Sequence, residues 1–290
     1  DSLASQNGNT TYYAERPVYG MYCGSDEAIG YGTIISKRRG INAFASLTYA
    51  FDNNREWFAD VQLGRHDVAQ FRDVTSWSHM AADGNEEGYF WNQSTDQIEF
   101  WQRQFSPEEI GGLNRNMIET TQKTYGLTTG FKGRFAEAWD YETALSWSRY
   151  EASISWPQIV AAKANALFLG PQLGTEAWRG TEYPVYAADP SRLYTPLTRA
   201  EYDAIAARTV YKPESETGTL ALTVSRGDLF QAPGGAVGFA GTLEAGYQSY
   251  ALNPDPLATQ YHYYSWKDSD GHGSRNRWAG AGELRIPLHE

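Results

Sequence analysis

The chain has a single cysteine, Cys23, in 290 residues. That excludes a disulfide framework within the chain and any metal site built from several thiolates. It has no run of about 18 apolar residues, so no transmembrane helix is expected. Basic side chains are scarce: 24 Lys and Arg stand against 35 Asp and Glu, a formal net charge of −11. Such a balance lacks the basic patch by which a duplex nucleic-acid binder displaces counterions. No G-x-S-x-G, H-E-x-x-H or Walker A pattern occurs. A non-enzyme without cofactor is therefore expected. The histidines His66, His79, His262, His272 and His289 show no metal-ligand spacing, so no metal is expected. Asp1–Ser5 offers neither an initiating Met nor the apolar stretch of a leader, and the true beginning is expected to have been removed.

What is abundant is aromatic: 14% of residues, with 10 Trp and 20 Tyr. This sits beside a mean hydropathy of −0.57. Many Trp, Tyr, Gly and Thr with few long aliphatic runs point to β structure. A strand with only one apolar face averages out in hydropathy, so a membrane barrel stays compatible with the low value.

Period two is visible along the chain. Residues 41–51 place Ile41, Ala43, Ala45, Leu47, Tyr49 and Phe51 on one face, the signature of a two-faced strand. A turn at 52–54 leads into 55–65, where Trp57, Ala59, Val61 and Leu63 oppose Glu56, Asp60 and Gln62. Similar alternation occupies 117–134, 136–153, 217–228, 236–250 and 276–288. Seven strands are predicted.

Their connections alternate in length. Short turns lie near 52–54, 133–137 and 232–235, and long connections run over 66–116, 154–216 and 251–275. Connections beyond about 12–15 residues are uncommon in compact domains. Short turns on one side and long loops on the other are the habit of outer-membrane barrels. Tyr49, Trp57, Trp139, Trp147, Tyr247 and Trp278 would then sit in interfacial girdles. Glu56, Asp60, Glu142, Glu244, Glu283 and Arg285 would face the lumen, touching a plug or pairing across strands; a soluble core could not bury them without partners. Helical spacing from Pro157 to Gly170, and a capping box at Thr198-Arg-Ala-Glu201, predict short helices within the loops.

Binding candidates fall in two loop clusters. The first contains Trp77, Tyr89, Phe90, Trp91 and Trp101; the second contains Tyr261, Tyr263 and Trp266. Aromatic faces stack on sugars, catecholates or peptide side chains. The same rings could instead pack loop against loop. Asp268-Ser-Asp270-Gly-His lacks the remaining ligands of a calcium loop and reads as a polar tip. Adjacent carboxylates such as Glu86-Glu87 do not constitute the facing pair a glycosidase needs.

The chain resembles part of a TonB-dependent outer-membrane receptor. The resemblance rests on Phe168–Gly174 (FLGPQLG), Ala188–Arg192 (ADPSR), Tyr194–Thr198 (YTPLT), Gly227–Ala240, Glu244–Gln248 and Trp278–Leu288, and covers about 41–288. It implies an all-β antiparallel barrel of about 22 strands with a plugged lumen, of which this chain would supply about seven. The plug, the energy-coupling segment and a C-terminal aromatic strand have no match, so the chain is expected to be a mid-barrel portion of a longer protein. Residues 1–40 would be an extracellular loop region and 41–290 barrel. The resemblance further implies a bacterial outer-membrane location in lipid and lipopolysaccharide. It implies coupling to the TonB complex through the plug, and import of a scarce siderophore, oligosaccharide or peptide driven by the proton gradient. Rival readings are a soluble aromatic-rich carbohydrate-active enzyme or binding module, and a small porin or adhesin barrel of about eight strands.

Overall fold

A computed structural model of the chain describes residues 11–16, 20–25, 33, 35–52, 54–79, 88–136, 138–264 and 267–288, the first two segments mainly by their backbone course. Trp266, Glu86, Glu87 and His289 lie outside the described residues. β1 (Thr11–Arg16) and β2 (Gly20–Ser25) form a separate antiparallel hairpin.

The seven expected strands all form and join one antiparallel sheet. They are β3 (Lys37–Asp52), β4 (Arg55–Gln70), β9 (Ile118–Phe135), β10 (Trp139–Ile159), β14 (Glu214–Ala232), β15 (Gly235–Ala251) and β16 (His272–Arg285), in the spatial order β16-β15-β14-β10-β9-β4-β3. Among the described residues the sheet is open, with β3 and β16 at its edges. An eighth strand, β13 (Ala206–Tyr211), takes over from β14 beside the upper part of β10. Between them Lys212-Pro213 interrupts the strand, and the Pro213 carbonyl accepts from Ala152 N–H at 2.9 Å.

The strands run further than their alternation suggests. β4 reaches Gln70 and β10 reaches Ile159. Pro157, expected in the first turn of a helix, lies in β10 opposite Arg208 of β13. β9 has already ended its pairing at Ser155, so Pro157 sits where β10 has a partner on one side only, a place that tolerates proline. The helix begins later, at Ala161, and closes at Gly170, whose φ of 76° is a left-handed conformation that glycine adopts without cost.

All three short connections lie at one end of the sheet. Asp52 closes the first, its carboxylate accepting from Asn54 N–H at 2.8 Å and Arg55 Nε at 2.9 Å. The long connections leave the opposite end and are folded. The first carries β5 (Ser76–Ser78), β6 (Tyr89–Asn92), β7 (Gln97–Phe100), β8 (Gln102–Gln104) and helix α1 (Pro107–Ile110). The second carries α2 (Ala161–Leu169), β11 (Gly174–Trp178), β12 (Thr181–Tyr186), α3 (Ser191–Tyr194) and α4 (Arg199–Ile205). Together they bury Phe71, Trp77, Phe90, Phe105, Ile110 and Phe168, among others, in the main apolar core of the described residues. That core belongs to the cap formed by the loops, not to the long sheet.

Candidate functional site

The long sheet has two chemically opposite faces. Residues directly opposed in a ladder share a face, so the registers can be followed from edge to edge. One row reads Leu47, Ala59, Thr129, Leu145, Leu220, Ala245, Trp278. The next reads Tyr49, Trp57, Phe131, Thr143, Leu222, Leu243, Gly280. A slip of one residue at any pairing would invert a strand's faces. Six pairings in phase by chance would occur about once in 64. Several of the large side chains are uncovered, Leu47 at 60% exposure, Leu243 at 64% and Trp278 at 82%, while the small Ala59 is buried.

Aromatic rings mark both margins of this apolar face. Phe51, Phe131, Phe135, Trp139 and Phe239 lie toward the short turns, with Phe135 and Trp139 stacked at 6.2 Å and Trp139 edge-on to Phe239 at 6.0 Å. Tyr125, Trp147 and Tyr247 lie toward the cap. At about 3.4 Å per residue, Trp139 to Trp147 and Phe135 to Tyr125 span about 27–34 Å along their strands. A tilt of 35–45° would reduce that to about 19–28 Å, bracketing the roughly 25 Å height of a barrel's apolar band. Beyond it the same face turns ionic, with Arg149 bridging Glu151 and Glu214, each at 2.8 Å.

The other face is mainly polar, with Phe44 and Phe58 as apolar exceptions. A row across it reads Ser46, Asp60, Thr128, Ser146, Thr219, Gly246, Arg277. Glu56, Asp60, Glu142, Glu244, Glu283 and Arg285, singled out as lumen-facing, all fall on it by register. Two form ion pairs across strands, Glu56 with Lys132 at 3.0 Å and Glu244 with Arg277. A depression of about 230 Å³ includes Asp60, Gln62, Thr128, Ser146 and Ser148 among its lining residues. It is smaller than the usual ligand pocket of about 300 Å³ or more.

The aromatic binding candidates divide. Trp77, Phe90, Trp101 and Tyr263 are buried in the cap, at 0%, 0%, 5% and 4% exposure. Trp77 stacks on Phe168 at 4.6 Å and donates its indole N–H to Asn165 at 2.9 Å. Trp101 donates to Glu99 at 2.7 Å, and Tyr263 donates to Asp255 at 3.3 Å. For these four, loop-on-loop packing describes the structure and an open ligand face does not. Trp77 and Phe90 lie in short strands with one face against the main cap core, Trp101 sits between β7 and β8 in the same core, and Tyr263 packs with Val160 and Ala258 in a second, smaller cluster. Tyr261 is half-buried, with the Lys267 ammonium 4.6 Å from its ring centre.

Tyr89 and Trp91 are placed differently. They alternate with Phe90 and Asn92 along β6, so they point away from the core. β6 is the third strand of a small sheet ordered β11-β12-β6-β7. Cross-strand registers bring Phe100 and Ile98 of β7, Tyr183 and Val185 of β12, and Glu176 and Trp178 of β11 onto the same outer face. Tyr89, Phe100 and Trp178 are 43%, 44% and 45% exposed. Trp91 and Trp178 lie 6.1 Å apart, and Tyr89 and Phe100 5.6 Å. Trp178 and Tyr183 were not singled out by the sequence. Their signal was a two-residue turn, Arg179-Gly180, with positive φ at both positions (51° and 86°), the geometry of a tight hairpin.

The underside of this platform is fixed by buried polar groups. The Asn92 side-chain amide donates to Glu99 Oε2 at 2.9 Å and to the Ala188 carbonyl at 3.1 Å, and its oxygen accepts from Ala188 N–H at 3.1 Å. His79 is buried edge-on to Phe90 and Tyr186, with Nδ1 3.1 Å from the Gly88 carbonyl oxygen. Burial holds its imidazole below the ordinary value of 6.5, partly offset by that carbonyl. Burial also raises the Tyr186 phenol. Among the described residues no cluster of three or more potential ligands could hold a metal ion. No family model, curated protein or solved structure matches the chain.

Proposed function

We propose that the seven-strand sheet is a sector of a transmembrane β-barrel wall in a bacterial outer membrane, within a transporter of the TonB-dependent kind. The observation that carries this reading is the apolar face kept in phase through six pairings, with aromatic margins spaced like the two edges of a bilayer. Uncovered Leu, Phe and Trp on that scale would be an aggregation liability in water, and lipid is the solvent they suit. The polar face then borders the lumen, where Glu56, Asp60, Glu142, Glu244, Glu283 and Arg285 meet water, a plug or one another. The folded cap stands outside the cell and the short turns stand in the periplasm. The two open edges call for further strands, because unpaired backbone is untenable in lipid. A barrel of about 22 strands provides them. In this role the chain performs no covalent chemistry. It supplies wall and vestibule, and TonB acting on the plug supplies the driving force.

The test is residue-by-residue accessibility in the native membrane. Single cysteines at 143 to 147, in a Cys23→Ser background, should react with a lipid-phase probe at odd positions and an aqueous probe at even ones. A water-soluble product, or reactivity without alternation, overturns the barrel. Cargo uptake that survives collapse of the proton gradient overturns the TonB-dependent part alone.

A further inference from the structure

We infer that the outer face of the β11-β12-β6-β7 sheet is a stacking platform for a neutral glycan. Its position outside the cell rests on the membrane reading above; the platform itself does not.

The face presents Trp178, Tyr183, Trp91, Tyr89 and Phe100 across four adjacent strands, with the three most open rings a little under half exposed. The Asn92 amide network and the buried Phe90 and Tyr186 hold β6, β7 and β12 from beneath, and β11, exposed along its length, is held by its pairing with β12. The Arg179-Gly180 turn fixes Trp178 at the last pair of its hairpin, opposite Thr181. The rings therefore occupy a surface organised before any ligand arrives, which lowers the ordering cost of binding.

The charge on the face selects the ligand class. Glu176 is the one charged side chain among its outward strand positions. The Arg179 guanidinium, in the turn, lies 5.5 Å from the Trp178 ring centre. An anionic ferric chelate needs a cluster of cations, and this face has one, already against a ring. A neutral polyhydroxylated chain needs none. Its C–H faces stack on the aromatic rings, while Glu176 and the Tyr89 and Tyr183 hydroxyls provide hydrogen-bonding groups for its hydroxyls.

The test uses the full-length protein, solubilised in lauryldimethylamine oxide, which has no sugar headgroup. It is applied to an array of neutral and anionic glycans, and separately to ferric catecholate and to arrayed peptides. The expected result is saturable retention on neutral oligosaccharides. Trp178→Ala and Trp91→Ala should each weaken it about tenfold, and Trp91→Tyr should restore most of the loss. Both Ala variants should keep the wild-type thermal transition of the cap, because these rings lie outside its core. No retention on neutral glycans, retention unchanged in both variants, or retention confined to peptides or the chelate overturns the proposal. Membrane insertion is measured in parallel. Insertion without glycan retention removes the platform alone, and retention without insertion removes the barrel alone.

Discussion

The long sheet and the cap use the same side chains against opposite surroundings. In the cap, Trp77, Phe90 and Phe105 are fully buried, Trp77 and Phe105 against Phe168 of α2 and Phe90 against Trp101 and Tyr186. In the sheet, Ile41, Leu243 and Trp278 stand 64–82% exposed. The cap is built like a water-soluble domain, whose apolar groups must find partners within the chain. The sheet is built as though its partners were supplied from outside. Apolar content alone therefore does not reveal the intended solvent; periodicity and the fate of each face do.

The comparison can be broken most forcefully in the cap core. Trp77→Ala should cost about 3–5 kcal/mol by leaving a cavity against Phe168, seen as an early cap transition by tryptophan-fluorescence melting. The matching truncation Leu243→Ala should leave that transition in place, and equal losses would erase the distinction between the regions. Next comes the sheet's own solvent. Leu222→Arg should oppose membrane insertion by about 2–4 kcal/mol, measured by folding into vesicles, whereas Thr223→Arg on the polar face should insert normally. Equal insertion of both would sink the assignment of faces.

Acid should sharpen the contrast more gently. Burial in the folded cap disfavours the charged imidazole of His79, so the unfolded state binds the proton more readily. Stability of the cap is then lost as pH falls below about 6.5, at a slope of no more than about 1.4 kcal/mol per pH unit. Cap melting followed from pH 7.5 to 5.0 should show this, and His79→Phe should flatten it; an unchanged slope would exonerate the imidazole. The smallest effect expected is at the start of α4. The Thr198 hydroxyl oxygen accepts from Glu201 N–H, and the Glu201 carboxylate accepts in return from Thr198 N–H at 2.8 Å. The hydrogen bond from Arg192 is the chief reason that this carboxyl is held down to about 2. Thr198→Ala should cost about 1 kcal/mol, read as a small downward shift of the cap transition only.

The sequence disclosed the sheet well because its signal is local. Ile41 to Phe51 alternate within one strand, and the faces follow without knowledge of any neighbour. The capping box at Thr198 was legible for the same reason. The cap was not. Whether Trp91 is half-exposed and Phe90 enclosed depends on which face of a four-residue strand meets Tyr186, a contact 96 residues away in sequence. Four residues are too few to establish a period, so both rings looked alike. Pro157 misled in a related way: its place in β10 is permitted by the early end of β9, a fact of pairing rather than of composition.

The parity of the sheet carries one more consequence. Each of its six pairings is antiparallel, so with seven strands the two boundary strands, β3 and β16, point in the same direction. Zipping them directly together would create one parallel seam in an otherwise antiparallel ring. A uniformly antiparallel ring can be completed only by inserting an odd number of strands between them. The β1–β2 hairpin, adding two, would leave that requirement unchanged. Seven of these strands alone therefore cannot make the even-numbered cylinder usual for such walls, whereas fifteen more would complete a ring of about 22.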